Sequence, residues 1–322
     1  MLSLVERLVI APPVAKALAH GRPVVALEST LISHGLPHPE NLAVARAAEA
    51  AVRESGAAPA TIAIRDGQVL VGLDDEALEA LATAPGELVM KAARPSLALA
   101  LERAGWAATT VSATMIAAHA AGIRVFATGG IGGVHVGALG GADAASGARM
   151  ATFDISSDLE ELARTPMAVV CAGPKAILDV PATLEYLETR GVPVLAVGQT
   201  ELPGFYARSS GVRAPASVAD LAAAGAVART HLGLGIGSAI LVCVPVPAAD
   251  ALDERQIRDA IRHAAADADA AGVAGPDLTP WLLARMAALT DGATVRTNAA
   301  LIVNNARSAG VLAAALALPA GV

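Results

Sequence analysis

The stretch MAVVCAGPKAILDVPATLEYLETRGVPVLAVG, residues 167–198, carries the pattern that decides the fold. It begins with an apolar run at 167–173 that predicts a buried strand. A helical segment follows at 182–191, and a second apolar run at 192–198 predicts the next strand. A strand, a helix and a strand in succession are typical of a parallel sheet that is covered by helices on both faces.

The same alternation extends outward in both directions along the chain. Apolar runs predict four further strands, and Ala-rich segments predict a helix after most of them. A hairpin with Asp66-Gly67 at its turn is predicted over 61–73. The further strands are predicted at 23–28, 86–93, 123–130 and 237–246, and helices at 39–56, 75–84 and 109–122 and through the last third of the chain. The fold class is therefore α/β with a mostly parallel sheet, and without a repeat or a linker we expect one domain over 1–322.

Composition and charge exclude several classes of protein. The net charge is −7 and no basic stripe is present, which argues against a nucleic-acid binder. The charge-free runs at 233–249 and 309–322 fall short of a convincing membrane span, so no membrane partner is expected. Cys171 and Cys243 lie in apolar runs, and the N-terminus lacks the pattern of a signal peptide. We therefore expect a cytoplasmic protein.

Lys175 directly follows the strand at 167–173, in a chain with only three lysines among its 23 lysines and arginines. Loss of hydration among apolar neighbours favours the neutral amine, which can attack a sugar carbonyl and form an imine. Arginine stays protonated and cannot form the imine. The alternative is a lysine whose stem packs on the surface while its ammonium group stays in water.

Glu28 and Lys91 also stand at predicted strand ends. A carboxyl group that is partly dry has a raised pKa and can act as a general acid, whereas the alternative for Glu28 is an ion-paired or capping group. Lys91 suits a phosphate group or the neighbourhood of a reactive amine, or else a surface charge. Because ligands bind outside the carboxyl ends of the strands in such sheets, we expect Glu28, Lys91 and Lys175 to converge.

Two polar segments follow the strand at 123–130. ATGGIGGVH, residues 127–135, has four glycines in five residues, which could bring backbone N–H groups to a phosphate or simply allow close packing. His135 could be a ligand or an acid/base, or else a structural histidine. FDISSDL, residues 153–159, suits either a helix start capped by Ser157 or a site in which one aspartate holds a hydrated Mn²⁺ or Mg²⁺. Three amides in the terminal apolar helix, Asn298, Asn304 and Asn305, need partners and could bind a ligand.

Seven motifs in order, over about residues 5–317, resemble the pseudouridine-5′-phosphate glycosidase family, also called the indigoidine synthase A-like family. They are ALESTLISHGLPHPEN (26–41), TIAIRDGQVLVGL (61–73), TTVSATMIAAHAAGIRVFATGGIGGVH (109–135), FDISSDL (153–159), TPMAVVCAGPKAILDVPATLEYLETRGVPVLAVG (165–198), ELPGFYARSSG (201–211) and TPWLLARMAALTDGATVRTNAALIVNNA (279–306).

The resemblance implies an α/β/α fold, a homotrimer and one Mn²⁺ per subunit. It also implies reversible cleavage of the C–C glycosidic bond of pseudouridine 5′-phosphate to uracil and ribose 5-phosphate through a lysine imine. By position, the nucleophile falls on Lys175, the proton donor on Glu28 and the metal ligand on Asp154. The substrate-binding positions of the family fall on Lys91, Val111, His135, Ser156, Ser157, Asp158 and Asn298.

Two segments depart from the family pattern. KAARPSLAL replaces the usual Ser-Arg-Arg-Asp-like sequence after the first lysine, although Arg94 is retained, and Val136 replaces an arginine ahead of a lengthened loop to 151. Both departures concern the identity of the substrate more than the type of reaction. They motivate one alternative, a relative that joins ribose 5-phosphate to a different aromatic base. A second alternative is a non-catalytic sugar-phosphate-binding protein, against which the retention of Glu28, Asp154 and Lys175 argues.

Overall fold

The computed structural model describes residues 2–143, 147–149, 151–273 and 278–317. Thirteen strands and eleven helices lie in these ranges. The strands are β1 Leu8–Ile10, β2 Val24–Leu27, β3 Ala58–Arg65, β4 Gln68–Val71, β5 Met90–Ala92, β6 Trp106–Thr109, β7 Val125–Ala127, β8 Gly141–Asp143, β9 Gly147–Arg149, β10 Ala168–Cys171, β11 Val194–Val197, β12 Ala216–Val218 and β13 Ile240–Cys243. The helices are α1 Pro12–Ala19, α2 Glu40–Glu54, α3 Asp75–Thr83, α4 Leu97–Glu102, α5 Val111–Ala120, α6 Ser157–Leu162, α7 Val180–Thr189, α8 Leu221–Gly233, α9 Glu254–Ala271, α10 Leu278–Leu289 and α11 Ala293–Ala317.

Seven parallel strands form the centre of the large sheet, in the order β12-β11-β13-β10-β7-β2-β3. The edge beyond β3 is mixed, because β3 pairs antiparallel with both β4 and β6. The predicted hairpin is present between β3 and β4, with Asp66 and Gly67 at φ +50° and +77°. The predicted α/β class with a mostly parallel sheet is confirmed.

Helices cover both faces of the sheet, since alternate residues of each strand enter different apolar clusters. In β2, Val24 and Ala26 pack on the side of α1, α5 and α7, whereas Val25 and Leu27 pack on the side of α2, α8 and α11. Both sets are buried, as expected for parallel strands between two helical layers. The molecule is therefore layered α/β/α.

The structure corrects the sequence prediction at two places before α6. The segment 131–150, predicted as a long loop, contains the antiparallel pair β8–β9, while residues 144–146 and 150 lie outside the described ranges. Ser156, not Ser157, caps α6, and its hydroxyl accepts a hydrogen bond from the Asp158 N–H at 3.2 Å. The cap lies one residue earlier because Ser157 already has helical geometry.

Helix α11 is the one described helix that is long and apolar enough to cross a membrane. Half of its apolar window is buried, and it packs against α2, α8 and the strands β2, β7 and β10. Length and composition are weak evidence for a span, because the core helix of a globular domain passes the same test.

Candidate active site

The centre of the sheet contains a switch point in the strand order. Strand β3 lies on one side of β2 and β7 on the other, and a ligand crevice forms outside the carboxyl ends of strands at such a point. Glu28 directly follows β2 and Thr128 directly follows β7. The Thr128 hydroxyl donates a hydrogen bond to Oε1 of Glu28. The fold thus places one carboxyl group in the crevice and fixes its direction.

Burial raises the pKa of the Glu28 carboxyl, and it outweighs the lowering effects of the Lys175 charge and the Thr128 hydrogen bond. The negative charge of Asp158 adds to the rise, and Lys91 opposes it. Two cations and a second carboxylate are therefore close enough to act on Glu28. A carboxyl with a raised pKa keeps its proton nearer to neutral pH and can donate it to a substrate.

Lys175 is held by the turn that follows β10. Gly173 has φ +88°, which favours glycine, and its carbonyl accepts a hydrogen bond from the Ile131 N–H at 3.2 Å. The Lys175 N–H in turn donates to the Ile131 carbonyl at 3.0 Å. These bonds join the turn to the glycine-rich segment and fix the Lys175 backbone next to the end of β7.

Four of the predicted residues line one cavity of about 130 Å³, namely Glu28, Lys91, Lys175 and Asn298. They come from four separate parts of the chain, and the predicted convergence of the strand ends is therefore observed. Apolar side chains form much of the remaining wall, among them Leu31, Leu283, Phe205 and Ile302. The arrangement places an amine, a carboxyl group and a second cation around a small, largely apolar space.

The glycine-rich segment is shaped by close packing. A Cβ atom on Gly132 would lie 2.2 Å from the Ser156 hydroxyl oxygen, and one on Gly133 would lie 2.5 Å from the Thr183 hydroxyl oxygen. The Gly132 N–H donates to Oδ2 of Asp158 at 2.9 Å, so this N–H is already paired. The close approach of the backbone to α6 and α7 explains these two glycines without a bound phosphate.

Asp158 joins three elements. It is buried, and its Oδ1 accepts a hydrogen bond from the Ser112 N–H at the start of α5 at 3.1 Å, in addition to the bond from Gly132. The Ser157 and Ser112 hydroxyl oxygens are 3.4 Å apart. Val111, the first residue of α5, is also buried. These predicted substrate-binding residues, with Ser156, form the support behind the cavity and do not line it among its described walls.

Asp154 and His135 line a different and larger cavity of about 1070 Å³. Nδ1 of His135 lies 4.0 Å from Oδ2 of Asp154, whose side chain is 40% exposed. Lys175 lines the small cavity, whereas its neighbours Pro174 and Ala176 line the large one. The structure therefore does not bring the predicted metal ligand and the predicted nucleophile into one cavity.

The Asp154 site fits a hydrated divalent cation. No cluster of three or more potential ligands among His, Cys, Asp and Glu occurs in the described part of the chain, which argues against a closed protein cage. One partly exposed carboxylate beside a roomy cavity suits a hard cation that keeps most of its waters. Asp154 would hold such an ion, with the His135 ring nitrogen 4.0 Å from its carboxylate.

Other residues near the site were predicted incompletely or not at all. Neither Thr128 nor His34 has a signal of its own in the sequence, although His34 lines the small cavity, where burial and the Lys91 charge lower its pKa. Two of the terminal amides find partners for their nitrogens, and Asn304 donates to the Pro245 carbonyl at 3.3 Å, but Oδ1 of Asn305 has no partner in the described part of the chain. Asn305 donates to the carbonyls of Thr128 and Gly129 at 2.9 and 3.2 Å. Arg94 pairs with the buried Glu161, so its guanidinium already has a partner.

We expect Gly130→Ala to destabilise the protein strongly. The new Cβ would lie 2.6 Å from the Phe205 ring and 2.8 Å from the Gly173 carbonyl oxygen, and Phe205 is only 3% exposed. Overpacking of this kind costs about 1–3 kcal/mol or more, measurable as a loss of unfolding free energy in urea. Gly233→Ala is the matched control, because nothing lies within 4 Å of its Cβ position, and it should leave stability unchanged or slightly higher. Equal stabilities of the two variants would contradict the packing described above.

Comparison with known proteins places the whole chain in one group. The family model described as indigoidine synthase A like protein matches residues 13–315. A protein of Paracoccus denitrificans (strain Pd 1222) named pseudouridine-5′-phosphate glycosidase is 52% identical over 310 residues, which is 96% of this chain and 98% of that protein.

Two solved structures have the same architecture. The prealnumycin C-glycosynthase AlnA in complex with ribulose 5-phosphate superposes with a TM-score of 0.86 at 37% identity, covering 96% of this chain and 97% of that one. An indigoidine synthase A-like protein of Thermotoga maritima MSB8 superposes with a TM-score of 0.80 at 32% identity, covering 92% and 94%.

Proposed function

The chain belongs to the indigoidine synthase A-like protein family, and we propose that it cleaves pseudouridine 5′-phosphate reversibly to uracil and ribose 5-phosphate, with Lys175 as nucleophile and Glu28 as proton donor. The single observation that carries the residue roles is the shared cavity, in which the Lys175 charge acts on the Glu28 carboxyl. The test is incubation of the protein with pseudouridine 5′-phosphate, which should release uracil and ribose 5-phosphate in equal amounts.

The glycosidic bond joins ribose C1′ to carbon 5 of uracil, and carbon is a poor leaving group for the two-carboxylate route of ordinary glycosidases. An amine avoids this difficulty. Ring opening breaks the C1′–O4′ bond: the uracil ring supplies an electron pair that forms a C5=C1′ double bond, and O4′ gains a proton as N1 of the base loses one. The Lys175 amine then adds to C1′ and loses a proton while the base regains its electron pair and its N1 proton, and the nitrogen lone pair forms the C=N bond as the C1′–C5 bond breaks. Water adds to the resulting imine and releases ribose 5-phosphate, which restores the Lys175 amine.

Glu28 supplies the proton that uracil carbon 5 needs when the bond to C1′ breaks. Its raised pKa keeps the carboxyl protonated to higher pH, and Thr128 fixes its orientation from the neighbouring strand end. The carboxylate that remains can take a proton from the water that attacks the imine. Lys91, on the same cavity wall, provides positive charge for the phosphate group of the substrate.

A divalent cation at Asp154, which we propose to be Mn²⁺, would contribute positive charge and ordered water in the large cavity, which adjoins the turn that carries Lys175. Asp154→Asn should raise the metal concentration needed for half-maximal activity by about tenfold or more, because one carboxylate carries most of the protein's contribution to binding. Titration of chelator-treated protein with Mn²⁺ measures this. His263→Asn, at an exposed position of α9, is the control, and an unchanged metal requirement in Asp154→Asn would refute this assignment.

The alternative function is the joining of ribose 5-phosphate to a different aromatic base, as the 37% identity to a C-glycosynthase suggests. Synthesis reactions with ribose 5-phosphate and either uracil or a bicyclic aromatic decide between the two. Preferred turnover of the bicyclic compound would replace uracil as the proposed base.

We propose that the protein is a cytoplasmic homotrimer. Val136, Leu139 and Phe153, which belong to neighbouring parts of one loop, are 68%, 57% and 73% exposed. Such apolar exposure supports contact with another copy. Cys171 and Cys243 are buried and free on adjacent strands, which supports a reducing compartment. Sedimentation equilibrium at micromolar concentration tests the assembly, and a monomeric mass would contradict it.

A further inference from the structure

Thr30 lies two residues after Glu28 and lines the same cavity. It immediately precedes a π-helical turn, Leu31–Gly35, which continues the cavity wall through Leu31, Ile32 and His34. π-Helical turns are rare and occur frequently at functional sites. The backbone here therefore departs from regular geometry directly beside the proton donor.

The Thr30 hydroxyl is buried and has no hydrogen-bond partner within the described ranges. The hydroxyl groups of three nearby residues, Ser29, Thr109 and Thr114, do have hydrogen-bond partners. The Thr109 N–H donates to the Ser29 hydroxyl at 2.9 Å, the Thr109 hydroxyl donates to the Ile62 carbonyl at 2.7 Å, and the Thr114 hydroxyl donates to that of Thr109 at 2.8 Å. These neighbouring hydroxyls are thus paired, whereas the Thr30 hydroxyl and Oδ1 of Asn305, whose amide nitrogen bonds the Thr128 carbonyl, have no partner in the described part of the chain. Of these two residues, only Thr30 lines the cavity.

A buried hydroxyl without a partner lowers stability, and native proteins rarely retain one that is unpaired in every state. Thr30 has helical backbone angles, φ −59° and ψ −34°, and threonine divides between two χ1 rotamers in that geometry. A change of χ1 rotamer would therefore give the hydroxyl a second position from which to reach a partner. A ligand with a hydrogen-bonding group at this wall would satisfy it there.

We propose that Thr30 is a specificity-determining residue whose hydroxyl donates a hydrogen bond to a carbonyl oxygen of the pyrimidine base. This rests on the function proposed above. Thr30 shares its chain segment with Glu28, which serves the base, whereas Lys175 and Lys91, which serve the sugar phosphate, come from other elements. The apolar neighbours Leu31 and Ile32 suit the flat face of a base. In uracil, a carbonyl group adjoins the carbon that Glu28 protonates.

Thr30→Val tests the proposal, because valine keeps the shape of threonine and removes the hydroxyl. We expect kcat/KM for pseudouridine 5′-phosphate to fall by about tenfold, the effect of one lost hydrogen bond. Borohydride trapping of ribose 5-phosphate on Lys175 should proceed at the wild-type rate, because the base is absent from that reaction. The melting temperature without ligand should stay the same or rise, since an unpaired buried hydroxyl has been removed.

Thr30→Ser is the matched control, since it keeps the hydroxyl and should retain kcat/KM within about threefold. The proposal is overturned if Thr30→Val keeps wild-type kcat/KM. It is also overturned if the variant melts at a lower temperature and traps ribose 5-phosphate more slowly, because the hydroxyl would then be structural. Failure of the wild-type protein to cleave the nucleotide would instead overturn the proposed function.

Discussion

Lys175→Met is expected to abolish cleavage of pseudouridine 5′-phosphate, with kcat reduced by a factor on the order of 10⁴ or more, as when other catalytic nucleophiles are removed. Methionine has a similar length and suits the half-buried setting of Lys175, so the fold should persist. Lys91 is the one other amine among the described residues that line the small cavity, and it belongs to a different strand, β5. Discontinuous activity assays of the purified variants measure the loss of activity. Near-UV circular dichroism shows whether the fold is retained.

Two controls separate chemistry from charge. Lys16→Met removes an exposed lysine of α1 and should leave kcat unchanged. Lys175→Arg keeps a positive charge near Glu28 but cannot form an imine, and it should be as inactive as Lys175→Met. Turnover by Lys175→Arg within tenfold of the wild type would show that the charge, and not the amine, is what the reaction requires.

Glu28→Gln should lower kcat by about 10²–10⁴-fold, the usual contribution of a general acid. Glutamine keeps an oxygen that can accept the Thr128 hydrogen bond, so the geometry should be preserved. The wild-type rate should fall as pH rises through the raised pKa of Glu28, because the carboxyl must be protonated to act. That alkaline limb should be absent from the residual activity of Glu28→Gln, which a pH profile of kcat measures.

The same variant should be more stable than the wild type at neutral pH. Burial raises the folded-state pKa of Glu28 above the unfolded value of 4.5, so the folded protein holds this proton more tightly. The resulting stabilisation is fully present below pH 4.5 and is lost as pH rises through the folded pKa. Glu54→Gln, at an exposed ion pair, should change stability little. A lower melting temperature for Glu28→Gln at neutral pH would contradict the burial of an acid in this crevice.

The parallel core was predictable because its pattern is local. The buried strands β2, β10, β11 and β13 each lie within a continuous apolar run, and the hairpin turn at Asp66-Gly67 has a specific local signature. Short strands at the edge of the sheet have weaker sequence patterns and were harder to predict. Strand β6 has four residues and was assigned in part to the start of the following helix.

Convergence of Glu28 and Lys175 was also predictable, since both follow parallel strands and such ends share one edge of the sheet. The residues that support Glu28 and Lys175 were not predictable. Thr128 contacts Glu28 across 100 residues, and Asp158 contacts Ser112 across 46, so neither pairing has a local signal. The family resemblance implies substrate binding for Asp158, whereas its carboxylate accepts hydrogen bonds from two backbone N–H groups. A carboxylate in either role looks the same in the sequence.

The division of the site into two cavities was likewise invisible in sequence. Consecutive residues face opposite sides of one wall, since Pro174 and Ala176 line the large cavity and Lys175 the small one. Phe205 and Tyr206 line the small cavity, while Gly204 and Ala207 line the large one. The wall is formed by two turns that are distant in sequence, at 174–176 and 204–207. Asp154 and Lys175 therefore lie in different cavities, although their motifs are adjacent along the chain.

Borohydride reduction in the presence of ribose 5-phosphate and Mn²⁺, followed by peptide mass analysis, tests the central claim most directly. An imine between C1 of the sugar and the Lys175 amine would be reduced to a stable secondary amine. We expect one pentose phosphate adduct per chain, on the peptide that contains Lys175, and none in Lys175→Met. Under conditions in which the protein binds the sugar phosphate, absence of an adduct, or an adduct on Lys91 or Lys16 instead, would contradict it.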